Sequence, residues 1–279
     1  MNGKLYLCAT PIGNLGDITY RCVEVLKSVD MIAAEDTRRT LGLLNHLEIE
    51  KPMTSYFEHN RREKGEFLIS EMKNGKNIAL VSDAGTPAIS DPGEDLVALC
   101  SQNGIDVVPI PGAVAGINAL IASGLPTGRF TFEGFLTVNK RGRNEMLTNL
   151  SNEERTMIFY EAPHKLMSTL KDMYDAFGER RICLCREITK IHEEFFRTTL
   201  SKAVEHYSEN PPRGEFVLVV EGKSRELFNE EQKKQWEQMS VCDHVRMYLG
   251  QGLDEKEALK KTARDRGVSK RDIYNEYKR

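Results

Sequence analysis

The sequence lacks any uninterrupted apolar run of about eighteen residues, the length a helix needs to span a bilayer. No secretory leader is expected either: Met1-Asn2-Gly3-Lys4 passes directly into the strand-like Leu5-Tyr6-Leu7-Cys8, without an apolar stretch and a small-residue cleavage site. A cytoplasmic location is therefore expected. Metal-type cysteine spacing is missing as well. Cys8, Cys22, Cys100 and Cys242 stand alone, and Cys183 and Cys185 fall on one face of a probable strand, so free thiols are expected and no metal ligands are assigned. Nor is there an excess of charge of one sign. The net charge is −3, which alone argues neither for nor against a nucleic-acid partner.

What is present is enough chain for two domains and an appendage: 279 residues, 40% apolar and 29% charged. In the first half, strand-like runs at Leu5–Ala9, Met31–Ala34, Ile78–Ser82 and Val107–Ile110 alternate with helical patterns near Tyr20–Ser28, Arg62–Lys73, Glu94–Gln102 and Val114–Ala122. This alternation predicts an α/β fold with a parallel sheet covered on both faces. Gly124-Leu125-Pro126-Thr127-Gly128 reads as a boundary. A second α/β domain is expected beyond it, with strands at Met157–Tyr160, Ile182–Arg186, Phe195–Thr199 and Phe216–Val220. The predicted division is 1–123, 124–224 and a small helical module at 225–279.

That last module holds two short helices joined by a tight turn. Asp254 with Glu257 forms a capping box, Gly267 stops the first helix, and Ser269 with Asp272 starts the second. From Asp254 to Arg279 there are nine Lys/Arg against six Asp/Glu. A helix-turn-helix touching nucleic acid and an ordinary packed helix pair both fit this spacing.

Open α/β sheets bind ligands beyond the carboxyl ends of their strands, and polar or glycine-bearing clusters sit at those ends here. They are Thr10–Asp17, Glu35-Asp36-Thr37-Arg38, Pro111–Val114, Glu161-Ala162-Pro163-His164 and Glu187-Ile188-Thr189-Lys190. The most specified is Ser82-Asp83-Ala84-Gly85-Thr86-Pro87-Ala88-Ile89-Ser90-Asp91-Pro92-Gly93, longer than a plain strand-to-helix connection needs. Its small residues suit close approach of main chain to a ligand. The Gly-x-x-Gly at Gly13–Gly16 is no dinucleotide fingerprint, and Asp17 fits a helix cap as well as a catalytic acid.

Pro11–Thr19, Ala34–Arg38, Ser82–Pro87, Glu161–His164 and Arg186–Lys190, in this order, resemble the small-subunit ribosomal RNA methyltransferase I family along essentially the whole chain. The resemblance implies a two-domain tetrapyrrole-methylase-like fold with a C-terminal helical module. It also implies S-adenosylmethionine-dependent 2′-O-methylation of a cytidine in the decoding region of 16S ribosomal RNA, within the 30S subunit, by a homodimer. By the same analogy Ser82, Asp83, Ala84, Gly85, Thr86 and Ile89 lie at the cofactor, and Pro11, Val114, Ala115, Ala162, Gly214 and Glu215 approach its adenosine and methionine parts. Relatives often carry a hydroxyl residue after Pro-Gly where this chain has Ala113-Val114.

Transfer of a methyl group to a ribose hydroxyl gains from a base, which typically contributes roughly 10²–10⁴-fold. Asp36 and Glu161 are the candidates because both follow predicted strands; helix capping or pairing with Arg38 is the competing role for Asp36. Arg38, Arg39, Lys140, Arg143 and Lys190 are expected to neutralise phosphates, with His59, Asn60, His164, Lys165 and Glu187 positioning the substrate. Methylation of a tetrapyrrole or another small molecule, and a non-enzymatic nucleic-acid-binding regulator, are the alternative readings.

Overall fold

In the computed structural model, which describes residues 2–224, 236 and 239–278, the short apolar runs of the first half form one parallel sheet. Its strands are β1 (Leu5–Cys8), β2 (Met31–Ala34), β3 (Met53–Ser55), β4 (Ile78–Val81) and β5 (Val107–Ile110), in the order β3-β2-β4-β1-β5. The helices α1 (Tyr20–Ser28), α2 (Thr37–His46), α3 (Arg61–Lys73) and α4 (Gly93–Gln102) provide the crossovers. Alternation along each strand sends successive side chains to opposite faces. Ala33 and Leu80 join Leu68, Met72 and Leu96 in one buried cluster, whereas Ile32, Ala79 and Val81 join Cys22, Leu26 and Leu44 in another. All four residues of the central β4 are buried, as expected for a strand covered on both faces.

The second sheet is mixed. Its strands β6 (Phe130–Phe135), β7 (Thr156–Glu161), β8 (Arg181–Arg186), β9 (Glu194–Thr199) and β10 (Phe216–Val220) run in the order β6-β7-β10-β8-β9. Only β6 and β7 pair in parallel; β10 is antiparallel to both β7 and β8, and β8 to β9. Helix α5 (Ala115–Ser123) buries Ala119 and Leu120 against Ile158, Cys183, Cys185, Val217 and Val219. It ends at Gly124, whose φ of 77° is the left-handed turn a glycine adopts freely. Three more helices belong to this half: α6 (Lys140–Leu150), α7 (Pro163–Phe177) and α8 (Leu200–Glu209).

Contacts divide the chain into two units, Met1–Leu147 with Thr156–Glu221, and Thr148–Arg155 with Gly222–Arg279; both sheets belong to the first. Part of the module expected at 225–279 lies outside the described residues. Within the second unit, α9 (Val241–Gly250), α10 (Glu255–Arg266) and α11 (Lys270–Tyr277) pack Val245, Tyr248, Ala258, Leu259 and Ile273 together. The side chains of Ser240, Asp254 and Ser269 cap these helices by accepting from the N–H groups of Asp243, Glu257 and Asp272. Gly267 stops α10 at φ 65°. No described helix is long and apolar enough to cross a membrane.

Candidate functional site

The carboxyl ends of β1, β2, β4 and β5 open into a cleft of about 550 Å³, a size suited to a small molecule. The first sheet contributes Ile12, Glu35, Arg39, the residues Ser82–Thr86 and Ile89–Asp91, and the start of α5 at Val114 and Ala115. From the second sheet come Phe135, Tyr160, Glu161, Ala162, Cys185, Ile188, Lys190 and Glu215–Val217. Because β10 is antiparallel to β7 and β8, its first residue Phe216 pairs with Glu161 and Arg186 at their last. This topology puts Glu215 beside two strand ends.

The loop after β4 is braced on several sides. Gly85 and Thr10 exchange main-chain hydrogen bonds of 2.9 and 3.1 Å. The Thr86 hydroxyl donates to the Ala113 carbonyl at 3.0 Å, tying this loop to the one after β5. Asp91 Oδ1 accepts from the N–H groups of Ala88 (3.0 Å) and Gly93 (2.7 Å). That clamp holds Ala88 and Ser90 at φ 67° and 61°, left-handed conformations that cost a non-glycine residue on the order of 1–3 kcal/mol each. Gly85 stands at φ 85°, and a Cβ there would lie 3.1 Å from Ile12 Cγ2 and 3.4 Å from the Ala113 carbonyl oxygen.

Acids gather on the first-sheet side. Glu35 Oε2 accepts from the Asp83 N–H at 3.3 Å; Asp83 Oδ1 accepts from the Asp36 N–H at 3.0 Å, and its Oδ2 lies 3.2 Å from Arg39. Burial pushes the Glu35 carboxyl above the usual range, and the Asp83 and Asp91 carboxylates add to the rise, against the Asp83 N–H and Arg39. Asp36 is the opposite case. Hydrogen bonds from the Arg38 side chain and N–H lower its carboxyl to about 2. It caps α2, pairs with Arg38 at 3.0 Å, and is not among the residues lining the cleft.

On the other wall, Glu161 is buried, accepting at 2.8 Å from the Ala162 N–H and at 2.5 Å from the Thr169 hydroxyl. Lys190 bridges Glu187 (3.0 Å) and Glu215 (2.9 Å). The Gly116 N–H donates to the Tyr160 hydroxyl oxygen at 3.2 Å, and Phe132 and Phe135 pack edge-on against the Tyr160 ring.

A smaller recess of about 330 Å³ shares Arg39, Ser82 and Asp83 with the cleft and is otherwise lined by Thr10, Pro11, Gly13, Leu15 and α2 residues Thr40, Gly42 and Leu43.

The profile of the Tetrapyrrole (Corrin/Porphyrin) Methylases matches residues 4–204. A protein of Halalkalibacterium halodurans named ribosomal RNA small subunit methyltransferase I is 51% identical over 99% of this chain and 94% of its own length. The protein of that name from Bacillus subtilis is 50% identical over 99% and 94%. The chain belongs to the ribosomal RNA small subunit methyltransferase I family. Among solved structures, uroporphyrin-III-C-methyltransferase of Thermus thermophilus aligns with a TM-score of 0.56 at 19% identity, over 82% of this chain and 98% of that one. Diphthine synthase reaches 0.61 at 12% identity, over 80% and 91%. These two likenesses concern the fold, which this family shares with methylases of other names.

Of the residues singled out in the sequence, Ser82, Asp83, Ala84, Gly85, Thr86, Ile89, Val114, Ala115, Glu161, Ala162, Glu215, Arg39 and Lys190 line the cleft. Pro11 lines the smaller recess, while Gly214 and Glu187 line a separate one beside Arg186, His192 and Arg213. Asn60 is a local brace: it accepts from the Phe57 N–H and donates to Ser55, with His59 edge-on to Phe57. Lys140 opens α6 and His164 the first turn of α7, both exposed; Lys165, next to His164, is half-buried. Arg143 is held by Asp172 at 2.6 Å, both side chains about 15% exposed. Arg143→Ala is therefore expected to destabilise the fold by about 2 kcal/mol, since it strands a mostly buried carboxylate; urea denaturation measures this. Glu35, Tyr160 and Ile188 were not assigned site roles from sequence. Their only signal was position at a strand end.

Proposed function

We propose that this chain is an S-adenosylmethionine-dependent methyltransferase acting on the ribose 2′-oxygen of a cytidine in small-subunit ribosomal RNA. The carrying observation is that three braced loops of the first sheet and the strand ends of the second meet in one cleft of cofactor size, in a chain half identical to its named relatives over nearly full length. The cleft fits the cofactor. Gly85 leaves a close approach that a Cβ would obstruct, and Ile12, Ile89, Val114 and Ile188 offer apolar walls between polar loop groups. S-adenosylmethionine supplies a methyl group carried on a positively charged sulfur. The residues we assign to it are Ser82–Thr86, Ile89, Val114, Ala115, Ala162 and Glu215, with Pro11 and Gly214 shaping the loops behind.

Glu161 fixes the Ala162 main chain through its own hydrogen bond, and Asp36 fixes the start of α2, so that Arg39 reaches the cleft. The acceptor nucleoside we place in the smaller recess, which the cleft joins at Arg39, Ser82 and Asp83. Arg38, Arg39, Lys140, His164 and Lys165 are assigned to the RNA backbone, and Arg143, His59, Asn60, Glu187 and Lys190 to bracing. We assign 1–123 and 124–224 to the two lobes of this cleft, with α5 packed on the second sheet.

Gly42 gives a direct test of the recess. Nothing lies within 4 Å of a Cβ built on it, and leucine is the better helix former. Gly42→Leu is expected to leave thermal stability and cofactor affinity intact while raising KM for small subunits about tenfold, equivalent to ~1.4 kcal/mol of acceptor binding. Unchanged KM would remove the recess from the acceptor path.

The reading as a whole is tested by incubating purified 30S subunits with the chain and labelled S-adenosylmethionine, then mapping ribose methylation. Label in a cytidine ribose supports it; label only in a tetrapyrrole offered in parallel favours the small-molecule alternative. We also infer cytoplasmic action on assembled subunits as a homodimer. Exposed Ile117 and Ile121 on α5 and Phe130, Phe132 and Phe135 on β6 support self-association, which light scattering measures.

A further inference from the structure

The cleft wall holds one carboxylate that is tied to the braced loops by a single long hydrogen bond. Glu35 follows β2 directly and lines the cleft. Its Oε2 accepts the single 3.3 Å bond from the Asp83 N–H, and Oε1 accepts none from the described residues. Each neighbouring acid holds a shorter bond or an ion pair, although Asp91 Oδ2 and Glu215 Oε1 also accept none from the described residues. Asp36 caps α2 and binds Arg38; Asp83 holds the Asp36 N–H and Arg39; Asp91 clamps Ala88 and Gly93; Glu161 is shared between Ala162 and Thr169; Glu215 pairs with Lys190.

Position adds to availability. Asp83 and Arg39 line both the cleft and the smaller recess, and Glu35 is bonded to Asp83. Glu35 thus lines the cleft beside the residues at which the two spaces join. A group that serves a donor in one space and an acceptor in the other has to stand at that junction.

Resting on the methyltransferase reading, we propose that Glu35, through Oε1, accepts the proton of the ribose 2′-hydroxyl as that oxygen gains the methyl group. The balance closes: the oxygen–carbon bond forms as the carbon–sulfur bond breaks, the sulfur leaves neutral, and the proton converts the Glu35 carboxylate to the acid. Water then carries the proton away. The environment suits the task, because burial with the Asp83 and Asp91 carboxylates makes Glu35 a stronger base than an ordinary glutamate, while Arg39 and the Asp83 N–H keep its ionised form within reach.

The same placement has a sign in stability. A carboxyl whose proton affinity rises on folding contributes stability at low pH that is lost as pH climbs through its folded-state titration. Glu35→Gln is therefore expected to match the wild type in acid and to exceed it in melting temperature at neutral pH, with the difference opening through the pH at which Glu35 ionises.

Three variants and four readouts test the proposal. Glu35→Gln is expected to bind S-adenosylmethionine by calorimetry as the wild type does, and to lose single-turnover methyl transfer to 30S subunits by about 10²–10⁴-fold. Glu35→Asp, keeping a carboxylate on a shorter arm, is expected to recover part of the rate. The acid limb of the wild-type rate profile should be absent in Glu35→Gln and should coincide with the pH at which the stability difference opens. A Glu35→Gln enzyme that binds cofactor and turns over within about threefold of wild type overturns the assignment. So does equal loss in Glu35→Ala and Glu35→Asp with weakened cofactor binding, which marks a structural role. If the wild type itself transfers nothing to ribosomal RNA, the functional reading fails and this role fails with it, while the stability difference still reports how Glu35 titrates.

Discussion

Gly85→Val lowers affinity for S-adenosylmethionine about 100-fold while the protein remains folded: this is the expected result of calorimetry on that variant. Gly85 lies at φ 85°, where a β-branched residue is strained, and the new side chain starts 3.1 Å from Ile12 Cγ2. Strain of this kind costs about 1–3 kcal/mol, and it is relieved by rotating the peptide that Gly85 shares with the loop. Rotation breaks the paired bonds to Thr10 and moves the main chain that faces the cleft. At 1.4 kcal/mol per factor of ten, the upper end of that range gives the stated loss. The two sheets do not depend on this loop, so the far-ultraviolet spectrum is expected to be unchanged. Retained affinity in Gly85→Val would remove the loop from the cofactor site.

Phe159→Ala is expected to destabilise the first unit by about 3–5 kcal/mol in urea denaturation. Phe159 is fully buried in β7, which has β6 on one side and β10 on the other. Alternation turns it away from the α5 face occupied by its neighbour Ile158, so the loss leaves a cavity on the opposite side of the sheet. Tyr160 and Glu161 come next in the strand, and cofactor binding should weaken together with stability. Phe135→Ala gives the contrast. Phe135 is 60% exposed, and its removal should cost only about 0.5–1.5 kcal/mol, the edge-on contact with Tyr160.

Eight strands were legible in the sequence: β1, β2, β4, β7, β8 and β10 carry apolar runs that are largely buried, and the edge strands β5 and β9 keep enough apolar or β-branched residues to be read, although Pro109 is exposed and β9 is half-buried at best over most of its length. The missed strands, β3 and β6, are edges. Met53-Thr54-Ser55 is only three residues long, and Phe130-Thr131-Phe132-Glu133-Gly134-Phe135 contains a glycine at φ 64° and a register shift between Phe132 and Gly134. Helix α2 was missed because Thr37-Arg38-Arg39-Thr40 offers no apolar period; it is held by the Asp36 cap just before it and by its own two buried residues, Thr40 and Leu44.

The candidate site was legible to the level of the strand end and no further. Glu35 and Asp36 are adjacent, equally acidic and equally placed after β2, but alternation points them different ways: one toward Asp83 and the cleft, the other onto its own helix. Which of the two takes which direction depends on the register of β2 against β3 and β4 and on the Arg38 side chain. Neither is a local property of the sequence.

The place of β1 in its sheet bears on the order in which the protein can be built. β1 lies between β4 and β5, with Leu5 aligned to Ile78 on one side and Val107 on the other. On a translating ribosome, β1 emerges before either partner, so both its edges stay unpaired until β4 has been synthesised and one edge until β5 has. Pairing so distant in sequence slows folding, and the early segment Leu5-Tyr6-Leu7-Cys8 is an aggregation liability during that wait. Holding that strand apart from other nascent chains is a task that falls to the cell's chaperones, before any cleft exists.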